Sequence, residues 1–209
     1  MLVHISLSNS KLGDKVPTLN LPPIITCRRN APCAKLCYAR RGTHLYPNVK
    51  KSHMDNYNSY NEDKVAFFDE VIKYLNNDDV TYKYFRWHSS GDIVDEQYLD
   101  GMVRVALACP QTTFLAFTKK WELINEWIDK HGIESLPVNL KIVLSMWDEE
   151  YNKTVKNKYL LPVTYVEFKK SSEFKANVPT GGYQCPGSCK TCKNCWKMML
   201  GQMTFFHQH

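Results

Sequence analysis

The stretch Val80-Thr-Tyr-Lys-Tyr-Phe-Arg-Trp87, followed by His88-Ser-Ser-Gly-Asp92, decides the fold class of this 209-residue chain. Six of its first eight residues are aromatic or β-branched, a composition that favours a buried strand. The next five residues are typical of a turn. Asp95 is then the expected N-cap of a helix whose amphipathic pattern includes Leu99 and Met102. This order predicts a strand, a turn and a crossover helix, which together form the repeating unit of a parallel α/β sheet.

Strands and helices alternate on both sides of this unit. The other predicted elements are a first strand from Leu2 to Ser6, a helix capped by Asn61 that runs to Leu75, a strand over 113–118, a helix from Trp121 to a stop at Gly132, and strands over 140–144 and 164–168. Such alternation predicts an α/β fold, and the number of units favours a partial (β/α) barrel over a complete eight-unit barrel. We expect a barrel-like domain at 1–178, which carries an N-terminal cysteine loop, and a cysteine-rich cluster segment at 179–209 packed on it.

Length and composition are those of a globular domain that needs no disulfide staples. Of the residues, 44% are hydrophobic and 23% are charged, and the formal net charge is +6. The longest charge-free apolar stretch, residues 105–118, is interrupted by Pro110, so no membrane span is expected. No secretory signal pattern is visible, and we therefore expect a cytoplasmic protein. In that reducing compartment, clustered cysteines bind metals more often than they form disulfides.

Three cysteines, Cys27, Cys33 and Cys37, form the first cysteine group, which lies within eleven residues. Nearby arginines and lysines favour thiolates over thiols, as a metal site requires, and they offset the negative charge of a thiolate-ligated cluster. Three ligands leave one coordination position open, which catalysis at a metal needs. The alternatives are a set of buried structural thiols and a site completed by a histidine such as His44 or His53.

Four more cysteines, Cys185, Cys189, Cys192 and Cys195, form the second cysteine group. Structural zinc sites usually have two cysteine pairs separated by a longer linker, and no linker is present here. Short-spaced cysteines of this kind are typical of iron–sulfur ligation, so the spacing favours a closed [4Fe–4S] site, with zinc as the alternative. Cys109 stands alone before a proline and is interpreted as a buried apolar residue.

The turn after the Val80–Trp87 strand contains further candidate site residues. Parallel α/β sheets form their sites at the carboxyl ends of strands. We therefore assign candidate catalytic roles to Arg86, which could hold an anionic group, and to His88 and Asp92, which could orient a ligand or exchange protons. The alternative is an ordinary turn with a capping aspartate. The candidate cofactor-binding residues are Ser90, Gly91 and Lys119.

Several of these segments together resemble the phage-associated gene product 88 family. They are Asn9-Ser-Lys-Leu-Gly13, the first cysteine group with the Tyr38-Ala39 that follows it, the Arg86–Asp92 turn, Phe117-Thr-Lys119, and the second cysteine group. The ending Cys33-x3-Cys37-Tyr-Ala is also similar to the cysteine loops of radical S-adenosylmethionine (SAM) enzymes. This resemblance implies a [4Fe–4S] cluster on the first cysteine group, held at the mouth of a partial (β/α) barrel. The five- and three-residue spacings differ from the three and two of the familiar radical SAM loop.

These observations lead to one expected function and one alternative. We expect an iron–sulfur protein of phage or prophage type with one or two [4Fe–4S] clusters, which acts as a radical-SAM-like enzyme or in cluster-dependent redox or sulfur chemistry. SAM is then a candidate cofactor, and a small-molecule substrate or an electron donor is the expected partner. The alternative is a zinc-stabilised protein that binds nucleic acid or a host protein, in which both cysteine groups are structural. For a phage-encoded protein, the expected cytoplasm is that of the host cell.

Overall fold

The computed structural model describes residues 3–7, 11–13, 15–77, 79–169, 172–173 and 179–208. Leu2, at the start of the predicted first strand, Asn9 and the domain boundary predicted after residue 178 lie outside the described residues. Among the residues described, no helix is both long and apolar enough to cross a lipid bilayer.

One sheet contains the strands of the described chain: β1 (Ile5–Ser6), β2 (Thr18–Leu19), β3 (Tyr84–Trp87), β4 (Thr113–Thr118), β5 (Leu140–Ser145), β6 (Val163–Glu167), β7 (Tyr183–Gln184) and β8 (Met203–His207). Their order across the sheet is β1-β2-β3-β4-β5-β6-β8-β7. β1 pairs antiparallel with β2, and the other pairs are parallel. Because β2 to β6 are neighbours in chain order, each crossover returns beside the strand that it left. The sheet is open, with β1 and β7 at its edges.

The α-helices of the described chain are α1 (Pro47–Glu62), α2 (Lys64–Leu75), α3 (Glu96–Ala108), α4 (Trp121–His131) and α5 (Glu149–Thr154). The main hydrophobic core lies between these helices and one face of the sheet. Phe67 of α2 and Leu99 of α3 belong to this core together with Trp87, Ala116 and Ile142 of the strands. Alternate residues of β3, β4 and β5 therefore face the helices, as the period of a strand requires.

The opposite face of the sheet is covered by the N- and C-terminal segments. Leu115 of β4 and Val143 of β5 form a second hydrophobic cluster with Trp196 and Met198, which come from the C-terminal segment. The indole Nε1 of Trp196 donates a hydrogen bond to the carbonyl oxygen of Phe85 at 2.9 Å. This bond joins the segment that carries the second cysteine group to the backbone of β3.

The structure confirms the mixed α/β class and the mainly parallel sheet. It does not close the sheet, so the partial barrel of radical SAM type stays a prediction. The C-terminal segment was expected to pack on the barrel-like domain. Its strands β7 and β8 instead belong to the same sheet as the rest of the chain. The strand β8 lies between β6 and β7.

The predicted start of the α2 helix was wrong by two residues. Asp63 is the N-cap, and its carboxylate accepts a hydrogen bond from the backbone N–H of Ala66 at 2.9 Å. Asn61 lies inside α1, a helix that the apolar periodicity did not predict. The buried residues of α1 include the polar His53 and Asn56, so the helix lacks the apolar stripe by which amphipathic helices are recognised.

Candidate metal centre

The first cysteine group lies in the loop that follows β2, at the carboxyl ends of the parallel strands. Short 3₁₀ turns hold this loop, and one of them, residues 34–36, lies between Cys33 and Cys37. Burial, the neighbouring Asp92 carboxylate and the other two thiols of the group together raise the pKa of Cys27 to about 11. The three thiols are therefore close enough to repel one another as anions. A cation shared among them would remove that repulsion.

Backbone hydrogen bonds position the second cysteine group against the sheet and the N-terminal segment. Cys185 directly follows β7, and its N–H donates to the carbonyl oxygen of Phe205 at 2.8 Å. The N–H of Cys189 donates to the carbonyl oxygen of Lys11 at 2.8 Å. Burial and the other thiols of the group raise the pKa of Cys195 to about 12, although the Arg86 cation acts in the opposite direction. These four thiols are thus also within electrostatic reach of one another.

All eight cysteines are free thiols. Within the described residues, no three His, Cys, Asp or Glu side chains are already arranged to hold a metal ion. The donor set of both groups nevertheless fits an iron–sulfur cluster or a zinc ion, because it consists of thiols gathered in short loops. Metal binding is coupled to folding at such sites, because a preformed site rarely exists in the unfolded state.

Arg86 lies near the second cysteine group and near Tyr38, which follows the first group. Its Nε donates to the carbonyl oxygen of Trp87 at 3.1 Å, and its guanidinium carbon lies 4.1 Å from the centroid of the Phe117 ring. Burial lowers the pKa of Arg86, whereas Tyr38 of the first loop and Cys195 and Cys189 of the second group act in the opposite direction. No ion pair in the described part of the chain includes Arg86. Among the described residues, its charge therefore acts on Tyr38 and on two thiols of the second group rather than on a carboxylate partner.

His88 points into the helix layer and not toward the cysteines. Its Nε2 lies 3.0 Å from the hydroxyl of Tyr98 on α3, and burial, assisted by the Arg86 and Lys120 cations, lowers its pKa to about 3. Strand alternation would place His88 on the same face as Arg86. Its left-handed backbone, with φ of 56°, ends the strand geometry and turns the side chain to the other face. The two candidate catalytic residues His88 and Arg86 therefore face opposite sides of the sheet.

Asp92 joins the turn after β3 to the end of β4. Its Oδ1 accepts from the N–H of Ile93 at 2.8 Å, and its Oδ2 accepts from the N–H of Lys119 at 3.1 Å. Burial raises the pKa of Asp92, although the Thr118 hydroxyl and these N–H donors favour its ionised form. Asp92 also acts on Cys27 electrostatically, which places it beside the first cysteine group. A catalytic role for this carboxylate stays a prediction.

Ser90 and Gly91 contact the chain itself. The hydroxyl of Ser90 donates to the carbonyl oxygen of Leu21 at 3.0 Å. A Cβ built at Gly91 would lie 2.7 Å from the Cβ of Leu21 and 2.7 Å from Oγ1 of Thr26. The close backbone approach predicted for Gly91 therefore occurs, and its partner is the segment that leads into the first cysteine group. Cofactor binding by these two residues stays a prediction.

Two residues to which the sequence assigned no role of their own hold this arrangement together. The side-chain oxygen of Asn20 accepts hydrogen bonds from the N–H groups of Ser89 and Ser90, at 2.8 and 3.1 Å. The hydroxyl of Tyr38 donates to the carbonyl oxygen of Ser89. Tyr38 is adjacent to Cys37, which is a usable signal, whereas nothing in the sequence around Asn20 indicates its role.

The fold and the site together define a class: a mixed α/β protein with two thiol-rich loops near the carboxyl ends of a mainly parallel sheet. A family model described as Gene product 88 matches residues 4–198, and the chain belongs to this phage-associated family. Comparison with curated proteins and with solved structures finds no match.

Proposed function

We propose that the protein is an iron–sulfur protein in which each cysteine group holds a [4Fe–4S] cluster. The observation that carries this proposal is the position of Arg86, a cation with no carboxylate partner in the described residues that acts on thiols of the second group and on Tyr38 of the first loop. Clusters ligated by thiolates are anionic, and a nearby cation offsets their charge and shifts their reduction potential. A site with only neutral thiols gives such a cation no partner.

The two groups differ in their number of thiols, and this difference supports different roles. Four thiolates close a [4Fe–4S] cluster, whereas three leave one iron open to an exogenous ligand. When bound, the clusters would supply one-electron transfer and, at the first group, an open Lewis-acid position. The first group is thus proposed as the reactive centre. The second group would relay electrons or secure the C-terminal segment against the sheet.

The protein's own residues would position these loops. Asp92 holds the end of β4 beside the first loop through the backbone N–H of Lys119. Tyr38 and Asn20 fix the turn after β3 against the same loop. Arg86 would stabilise the negative charge of the second centre, because it acts on Cys189 and Cys195 from the face of the sheet opposite the helices.

The finer architectural proposal is a partial (β/α) barrel of radical SAM type. Strands β2 to β6 follow one another in chain order, and the main helical core lies on one face of the sheet. This is the arrangement from which (β/α) barrels are built. The opposite face would correspond to the barrel interior, and the second cysteine group with Trp196 lies on that side. SAM binding at the first group belongs to this same proposal.

The direct test is anaerobic purification followed by iron, zinc and acid-labile sulfide analysis and electron paramagnetic resonance. We expect iron and sulfide in the wild type. Cys33→Ala and Cys192→Ala should each lower the iron content, one variant for each group. Cys109→Ala is the matched control, because Cys109 is a buried thiol outside both groups, and its iron content should equal that of the wild type. Zinc without sulfide would overturn the proposal.

The open iron has its own test. The paramagnetic signal of the first cluster is the one that Cys33→Ala removes, and the signal of the second cluster is the one that Cys192→Ala removes. Adding SAM, a small thiol or sulfide to the reduced protein should change the first signal and leave the second unchanged. Unchanged signals with all three additions would argue against an open coordination position at the first group. The iron content measured on the same samples shows whether the cluster itself was present.

A second candidate function, nucleic-acid binding by a zinc-stabilised protein, is favoured by one specific feature. Residues 15–54 contain eight lysines and arginines and no aspartate or glutamate. Tyr38 and Tyr46 in this segment are more than half exposed, at 55% and 57%, and exposed aromatic rings among cations suit base stacking. The test is binding to a single-stranded oligonucleotide over a range of salt concentrations. Zinc in the protein, together with salt-dependent binding that Tyr46→Ala weakens, would favour this candidate.

A further inference from the structure

We infer that Lys119, Ser145 and Trp147 form a binding site for the oxyanion group of a small ligand, a carboxylate or a phosphate. These residues lie at the carboxyl ends of β4 and β5, close to the turn that carries Asp92. The assignment of this ligand as the substrate of the first cysteine group rests on the proposed iron–sulfur function. The binding site itself depends only on the side chains described below.

The parallel register of β4 and β5 brings the three residues together. Thr118 is paired with Leu144, so Lys119 and Ser145 are the next residues along both strands. The ammonium Nζ of Lys119 donates to Oγ of Ser145 at 2.8 Å and lies 5.5 Å from the centroid of the Trp147 ring. The Trp147 ring is itself held by an edge contact with Phe168, at 5.1 Å between centroids. The cation therefore has a fixed direction and a flat apolar wall beside it.

Among the described residues, no carboxylate neutralises the charge of the Lys119 ammonium. The nearby Asp92 accepts the backbone N–H of Lys119 rather than its ammonium, and the ammonium of Lys120 is occupied by the carbonyl oxygen of Val94 at 2.9 Å. No ion pair among the described residues includes Lys119. A half-buried ammonium whose side-chain hydrogen bond goes to a hydroxyl retains donors for an incoming oxyanion.

The surrounding face of the sheet has the same sign of charge. Arg86 on β3 and Lys141 on β5 alternate with the residues that face the helices, so both lie on this side. The guanidinium of Arg86 stacks on Phe117, which lies two residues before Lys119 on β4. No acidic residue occurs in β3, β4 or β5. The cations of these three strands therefore favour an anion near Lys119.

The test is competitive acylation of lysines read by mass spectrometry, with benzoate and inorganic phosphate as probes at constant ionic strength. For a Kd of about 1 mM, a probe at about 10 mM would occupy about nine-tenths of the sites and lower Lys119 labelling about tenfold. Lys153, an exposed lysine paired with Glu149, is the internal control and should not change. Protection by benzoate alone identifies a carboxylate site, and protection by phosphate alone a phosphate site.

Variants separate the binding site from general anion effects. Ser145→Ala should weaken the protection, because Ser145 holds the ammonium in place, and Ser135→Ala, which removes a hydroxyl bonded to the His131 carbonyl oxygen, should not. Absence of protection by either probe, or equal protection of Lys153, would overturn the inference. Iron and sulfide are measured in the same samples. Protection of Lys119 in protein that contains no iron would contradict the iron–sulfur proposal alone. Iron and sulfide in the protein without protection of Lys119 would contradict the oxyanion site alone.

Discussion

Replacing Gly91 by alanine should destabilise the protein, because Leu21 and Thr26 approach Gly91 too closely to leave room for a Cβ atom. Gly91 has a φ of 85°, a conformation that costs L residues about 1 kcal/mol or more. Its new Cβ would also lie 2.7 Å from the Cβ of Leu21 and 2.9 Å from the Leu21 carbonyl oxygen. Leu21 is fully buried, so it cannot move aside without disturbing the core.

The steric part of this cost is of the size seen when a packed core is overfilled, about 1–3 kcal/mol. Together with the backbone cost, the free energy of unfolding should fall by about 2–4 kcal/mol. For a chain of this length, each kcal/mol corresponds to about 2–4 °C in Tm. We therefore expect Tm, measured by circular dichroism, to fall by about 5–15 °C. Urea denaturation measures the loss in the free energy of unfolding.

Gly201→Ala is the matched control. Gly201 has a similar φ of 78°, but a Cβ there would have no heavy atom within 4 Å. Its Tm should fall by only about 2–4 °C, because the backbone cost alone remains. Equal losses in the two variants would show that the Leu21 contact contributes nothing, and the packing argument for Gly91 would then be refuted.

Three further predictions concern buried groups. Burial, with the neighbouring His44, lowers the pKa of His53 to about 4, so its contribution to stability is present above the unfolded pKa of about 6.5 and is lost as pH falls. Between pH 7 and 4.5 the wild type should therefore lose about 2.5 kcal/mol of stability that His53→Gln does not lose. Identical pH slopes of the two proteins in urea denaturation would contradict this. Trp196→Leu removes the hydrogen bond to Phe85 and the buried indole ring. It should lower the free energy of unfolding by about 3 kcal/mol and speed proteolysis of the C-terminal segment. Unchanged proteolysis would argue against the anchoring role of Trp196. Gly101→Ala should destabilise despite the better helix propensity of alanine, because its Cβ would overlap the Phe68 ring; a gain in Tm would show that the ring moves aside.

The elements that could be predicted are those whose own residues repeat with the period of the structure. Strand β4 and helix α4 have the predicted bounds, and Asp95 is the predicted cap of α3. The helix α1 has no such pattern, because its buried face includes polar side chains. Asn56, for example, donates to the carbonyl oxygens of His4 and Asn20. Such a face is recognisable only once its partners are in place.

Short strands form a second class of element that local patterns do not predict. The strands β2 and β7 have two residues each, too few to show an alternation. Their existence depends on neighbours that are remote in the chain: β2 pairs with β3, and β7 pairs with β8. The integration of the C-terminal segment into the sheet follows from these pairings.

The sequence by itself determined the α/β class, the two cysteine groups and the strand–turn–helix unit over residues 84–108, because each depends on spacing within a short stretch. The strand of this unit begins four residues later than predicted, at Tyr84. Only the tertiary structure decided how these parts meet. The left-handed backbone at His88 turned that side chain into the helix layer, while the parallel register of β4 and β5 placed Lys119 beside Ser145. The physical reason is that a side chain's direction and its distant neighbours depend on backbone angles and strand register, which are set by the packing of the whole chain.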